Sequence, residues 1–216
     1  MPVASQGNNN IVDLCLSANP GIVARVNIRI QGNNNRVQLN GELTGKGQLS
    51  ITLLASDCSI TIGKQVNINR GLEINVIPAG GGTPSRDCHV EIGDHCLFNG
   101  INSLVLAEYG NRISIGSGCL LAHGITFNTS DSHPIFDLDS NARINPCADI
   151  AIADRVWVGS DAHFLKKARV AEGSVVAAHS IVTRAFEQPH VVIAGNPARI
   201  VRENIRWELD APAAPE

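Results

Sequence analysis

From Ile152 the chain divides without gaps into blocks of six: IADRVW, VGSDAH, FLKKAR, VAEGSV, VAAHSI and VTRAFE. An apolar residue opens every block (Ile152, Val158, Phe164, Val170, Val176, Val182), and compact residues hold the fifth place of the first five (Val156, Ala162, Ala168, Ser174, Ser180). This period is neither the alternation of a flat strand nor the 3.6 of a helix. It describes a short extended segment followed by a tight corner. The opening side chain points inward, and the fifth also points inward where space is short, so it must be small. Three blocks make one triangular coil of about 18 residues, and coils stack into a parallel β-helix. The expected fold is therefore an all-β solenoid.

The same phase recurs upstream in Ile62-Gly63-Lys64-Gln65-Val66, and in Ile92 to Cys96 and Ile115 to Cys119, where Cys holds the fifth place. Gly80-Gly81-Gly82 and Ala107 to Asn111 read as excursions from coils. The triple glycine lacks the Gly-Lys-Ser/Thr that follows in a phosphate-cradling loop, so it reads as a flexible connection. Gly-Asn-Asn-Asn occurs at Gly7 and Gly32, and Asn suits stacked corners because it tolerates left-handed backbone. These features divide the chain into a polar cap or arm over 1–20, a β-helix over 21–194 with a long loop at 130–148, a helix over 195–209 and a tail over 210–216. The helix rests on Asn196 as cap, Pro197 in the first turn, and Val201, Ile205 and Leu209 four apart.

Composition narrows the function classes. Hydrophobic residues make up 44% of the 216 residues but aromatics only 4%, as a narrow aliphatic interior requires. A net charge of −3 offers no electrostatic grip on nucleic acid or anionic lipid. No apolar run approaches the ~18 residues of a membrane span. The start, MPVASQGNNN, lacks the basic-then-apolar layout of a secretory signal, so a cytoplasmic location with reduced thiols is expected. Cys88-His89 and His95-Cys96 suggest a metal cluster, but neighbours on a strand point opposite ways, so small buried thiols are expected and no metal.

The blocks from Ile152, the His-Pro loop before them and AGNPARIV after them resemble the left-handed β-helix, hexapeptide-repeat acyltransferases, over about 90–207. Most similar is the branch that O-acetylates sugars and cell-surface polysaccharides. The resemblance implies left-handed coiling, acetyl-CoA as co-substrate, and a homotrimer with active sites between subunits. It also implies a catalytic base at His133, in Asp131-Ser132-His133-Pro134. An imidazole titrating near neutral pH suits deprotonation of a hydroxyl, and Pro134 restricts the backbone that aims it. Asp131 or Asp137, or a backbone carbonyl, would accept the other ring N–H; Asp139 is expected in solvent. Trp157 would line the cofactor and acceptor pocket. Ser160 and Ala178 match pantetheine contacts, Thr183 and Arg184 the adenosine end, and Arg199 and Arg202 the CoA phosphates. Asn99 and Asn102 match positions that can touch the acceptor sugar. Leu165-Lys166-Lys167-Ala168 departs from the Gly-Val corner of many relatives, and His179 replaces a usual Gly as an exposed corner residue or a CoA contact. His123, before a Gly-Ile strand, could sit near the trimer interface, its role open.

Rival readings share the fold. Serine acetyltransferase also carries Asp-x-His-Pro, but normally behind a helical domain that this Asn-rich, β-rich start does not resemble. An antibiotic acetyltransferase is another. Metal-dependent hydration, as in γ-type carbonic anhydrases, needs two His five residues apart in a coil, whereas His89 and His95 are six apart and His123 and His133 ten. A non-catalytic or metal-binding β-helix protein is the alternative outside the transferases.

Overall fold

A computed structural model describes residues 3–15 and 25–210. Among these residues three faces of eight strands each, all parallel except the last strand of the third, form a triangular prism. The chain crosses face A, then B, then C, and each coil pairs in register with the next: Ile51 with Ile74, Ile60 with Val90, and Val158 with Val176. Alternation along the strands builds the interior, as in Val26–Gln31, where buried and exposed residues alternate throughout. The core is a column of Val, Ile and Leu with Phe127 and Phe164 stacked at 4.6 Å and 9°. Such a pair contributes about 0.5–1.5 kcal/mol beyond its burial.

Small residues close the corners as the repeat predicts. Ala162, Ala168, Ser174 and Ser180 are fully buried, with Cys58, Cys88, Cys96 and Cys119 in the same role. The thiols point inward and bond to carbonyls, Cys96 Sγ to Gly116 O at 3.0 Å, while His95 stands exposed at its corner. Cys15 is exposed and Cys147 half-buried, so these two are not core thiols. The Asn corners stack: Asn9, Asn34 and Asp57 all have φ between 57° and 59°, and Asn34 Nδ2 donates to Asp57 Oδ1 at 2.8 Å. These bonds between coils offset the steric cost of the left-handed backbone.

The coils are not uniform. Equivalent places recur after 18 residues only near the C-terminal end, Phe164 to Val182. They recur after 23 residues from Asn33 to Ser56, after 30 from Lys64 to Asp94 and after 37 from Ser117 to Asp154. The additional residues lie at the corner between faces A and B. There Ala55–Ser56 pairs with Ser85–Arg86, and Arg86 bridges to Tyr109.

Two expected boundaries are corrected. Val3–Gln6 pairs with Val26–Gln31 and Ile11–Asp13 with Arg36–Leu39, so the β-helix begins at Val3 rather than 21 and these residues are a rung, not an arm. Residues 16–24 and 211–216 lie outside the described residues. At the other end there is no helix over 195–209. Val192–Gly195 turns through the cis Asn196–Pro197 bond into Ala198–Arg202, which returns antiparallel. The last face C strand would otherwise present a bare sheet edge, and the return strand supplies its ladder bonds, which a helix could not do. Val201 and Leu209, the supposed apolar stripe, are 60% and 63% exposed. No helix among the described residues is long and apolar enough to cross a membrane.

Candidate active site

The long loop leaves the prism at the A/B corner, between Thr126–Asn128 and Ile150–Ile152. It is an ordered tongue. Phe136 and Arg143 bridge antiparallel, and Ile144 N–H donates to Ile135 O at 2.9 Å. Asp137 accepts from Ser140 N–H at 2.9 Å and Ser140 Oγ at 2.7 Å, closing the tip and holding its carboxyl below the usual range.

His133 is exposed, but its backbone is held from three sides. Its N–H donates to Asp131 O at 2.7 Å. The buried amide of Asn145 donates to His133 O at 2.9 Å and to Asp131 Oδ2 at 2.8 Å, and accepts from Ile135 N–H at 2.6 Å. Gly80 N–H donates to Ser132 O at 2.9 Å, and the Nδ1–Cε1 edge of the imidazole lies over Gly80. The triple glycine is therefore a support for the tongue, not a free connection.

The orienting carboxylate is corrected. Asp131 Oδ2 is engaged by Lys166 Nζ and Asn145, and Lys166, then Asn145, holds its carboxyl below the usual range. Asp137 serves its own turn, and Asp139 is exposed as expected. Neither Asp131 nor Asp137 bonds the His133 ring in this chain: Lys166 and Asn145 draw Asp131 Oδ2 to themselves, and Ser140 holds Asp137 in its own turn.

A second carboxylate anchors the tongue. Glu108, on the Ala107–Asn111 excursion, receives both Arg143 guanidinium nitrogens, at 2.6 and 2.8 Å, and the Ser130 hydroxyl. Its side chain is 13% exposed, and Arg143 holds its carboxyl below the ordinary value. Glu108 N–H in turn donates to Ser85 Oγ at 2.8 Å. Insertions on three successive coils thus stack, each supporting the next, with His133 at the top.

The other expected site residues fall elsewhere on the prism. Trp157 is on face C, 40% exposed. Ser160 and Ala178 share the C/A corner, where the Ser160 carbonyl accepts from His179 N–H at 2.9 Å. Asn99 and His123 are exposed at the same corner, Asn99 accepting from Asn69 Nδ2 at 2.8 Å. His179 is an exposed corner residue at φ 58°. Thr183 and Arg184 are at the A/B corner, on the His133 side, with Arg184 5.0 Å above the Phe186 ring. Arg199 and Arg202 are exposed on the return strand. One chain therefore does not bring Trp157, Ser160 and Ala178 to His133.

Asn102 is a further correction. It is 1% exposed, and its Oδ1 accepts Ile125 N–H at 3.1 Å. The amide folds into the corner and serves the next coil, so no sugar reaches it. Sequence reasoning missed Gly80, Glu108, Arg143, Asn145 and Lys166. The excursions and the unusual Lys166-Lys167 corner were the available signals.

No family model matches the sequence. Over 204 residues the chain is 32% identical to the polysialic acid O-acetyltransferase of Neisseria meningitidis, covering 94% of this chain and 88% of that one. The solved structure of the polysialic acid O-acetyltransferase OatWY matches with a TM-score of 0.66 at 27% identity, over 98% of this chain and 93% of that one. The polySia-specific acetyltransferase NeuO matches with a TM-score of 0.57 at 26% identity, over 97% and 89%. Both neighbours are left-handed β-helix acetyltransferases, so the expected hand carries over.

Proposed function

This chain belongs to the left-handed β-helix, hexapeptide-repeat O-acetyltransferases, and we propose that it moves acetyl from acetyl-CoA to a hydroxyl of an acidic cell-surface polysaccharide, polysialic acid being the first acceptor to test. The observation that carries this reading is His133: an exposed imidazole on a backbone fixed by Asn145, Gly80 and the Glu108–Arg143 pair. A general base needs such placement more than it needs burial.

In the proposed reaction acetyl-CoA and acceptor are bound together. The nitrogen that takes the hydroxyl proton is Nε2, since the Nδ1–Cε1 edge faces Gly80. The acceptor oxygen then bonds to the thioester carbonyl carbon, the C–S bond breaks, and the departing thiolate takes the proton back from the imidazolium. Lys166 keeps Asp131 ionised beside the tongue. The separation of His133 from Trp157, Ser160 and Ala178 within one chain supports a homotrimer. The A/B corner of one copy would face the C/A corner and face C of the next, with CoA in the groove between them. Arg184, Arg199 and Arg202, all exposed, suit the CoA phosphates.

The test is thiol release from acetyl-CoA with purified protein and polysialic acid. Acetyl transfer that falls by about 10²–10⁴-fold in His133→Ala, with CoA binding retained, supports the reading. Thiol release equally fast without any sugar, or unaffected by His133→Ala, overturns it. A monomeric mass by light scattering overturns the placement of the site between copies.

A further inference from the structure

The strap over 203–209 lays Trp207 beside Trp157, with centroids 6.2 Å apart and planes tilted by 48°. Two bonds fix it: Ile205 N–H to His190 O at 2.9 Å, and Trp207 Nε1–H to Arg155 O at 2.7 Å. Trp207 also lines a cleft of about 270 Å³ with Arg155, Glu172, Gly173, His190 and Arg206 at the B/C corner. Gly173 leaves room for the imidazole: a Cβ there would be 2.4 Å from His190 Nδ1, and its φ is +65°.

We propose that this cleft is a second acceptor subsite, which holds the neighbouring carboxylate-bearing sugar unit of a polymer while the reacting unit lies beside Trp157. The proposal rests on the reading of the chain as a polysaccharide O-acetyltransferase. The indole N–H is already used by Arg155 O, so Trp207 offers a stacking surface rather than a hydrogen bond, which suits the C–H face of a sugar ring. Two guanidinium groups and an imidazole favour a carboxylate. Glu172 accepts from hydroxyls. Arg206 Nε also meets Glu208 at 3.0 Å, an exposed pair that a bound carboxylate can displace at small cost. The cleft is too small for a nucleotide cofactor. It lies one indole away from Trp157, which fits consecutive units of one chain rather than two separate ligands.

Trp157 and Trp207 are the only tryptophans in the chain, so their emission reports directly on binding. The full-length protein is assayed with sialic acid monomer, sialic acid oligomers of graded length, and neutral maltooligosaccharides of equal length. The KM for sialic acid is expected to fall at least about tenfold from monomer to oligomer, with no such fall for the neutral series. Trp207→Ala or Arg206→Ala should raise the oligomer KM about tenfold while leaving kcat, monomer KM and acetyl-CoA KM within about twofold. Trp207→Phe should retain most oligomer affinity and lose most of the emission change. Equal losses on monomer and oligomer overturn the proposal, because Trp207 then only braces Trp157. A change of assembly mass in Arg206→Ala also overturns it, since the cleft is then an interface. Turnover without any length effect sinks the subsite alone, whereas absence of thiol release with every sugar sinks the parent reading.

Discussion

His133 rests on Gly80: a Cβ added to that glycine would stand 2.7 Å from the imidazole Nδ1 and 2.5 Å from the Ser132 carbonyl oxygen. The carbonyl cannot yield without moving the tongue, and the imidazole yields only by turning out of its position. Gly80→Ala should therefore lower kcat by about 10²-fold, the order expected when a catalytic group shifts by about 1 Å. The acetyl-CoA KM and Tm should change little. By contrast nothing lies within 4 Å of a Cβ on Gly81, whose φ is +73°, so Gly81→Ala should cost about 1 kcal/mol of stability through backbone strain and spare kcat. Steady-state kinetics beside thermal melts of the two variants separate these effects.

The Glu108–Arg143 pair gives the tongue a pH limit. Arg143 holds the folded-state carboxyl below its ordinary value of 4.5. The pair is complete above that value and is lost as pH falls through the lowered one. Hydrogen exchange over 130–148 should accelerate at that point, before the stacked strands of the prism do. In Arg143→Ala the tongue should exchange fast at neutral pH, with activity reduced at least about tenfold. Slow exchange in that variant would show that the tongue does not depend on the pair.

Asp131 separates anchoring from catalysis. Its carboxylate is held by Lys166 and Asn145 rather than by the imidazole. Asp131→Asn should therefore keep more than about a tenth of kcat, far more than His133→Ala, with the pH profile of kcat unmoved. A loss as deep as that of His133→Ala would show that the carboxylate reaches the ring in the working assembly.

Phe164 tests the column. It is fully buried and stacks on Phe127. Phe164→Ala should lose about 3–5 kcal/mol in denaturant melts. Phe164→Leu, which refills much of the space, should lose less. Equal losses for the two would mean that the column relaxes around the gap.

The regular coils were legible because every rung sets the same constraint, an inward aliphatic and then a small corner residue, as in Val158 and Ala162. The insertions were not, because their partners lie in other coils: nothing local to Glu108 points to Arg143, nor anything in Gly80 to His133. The spacing of Val201, Ile205 and Leu209 suggested a helix because four-residue intervals carry no record of the open sheet edge beside them. Asp131 was close enough in sequence to serve His133, but Lys166, from the next coil, competes for it and wins. His133, Trp157 and the exposed arginines could be picked out one by one. Their separation could not, since only the folded prism shows that they occupy different faces and corners of one chain.

The return strand Ala198–Arg202 has a consequence for the solenoid as a whole. By occupying the last face C strand with a neighbour running the opposite way, it denies another molecule the chance to continue that sheet in parallel. On that face a prism made of stackable rungs is closed to end-to-end growth, the step by which such rungs would add up to a fibre.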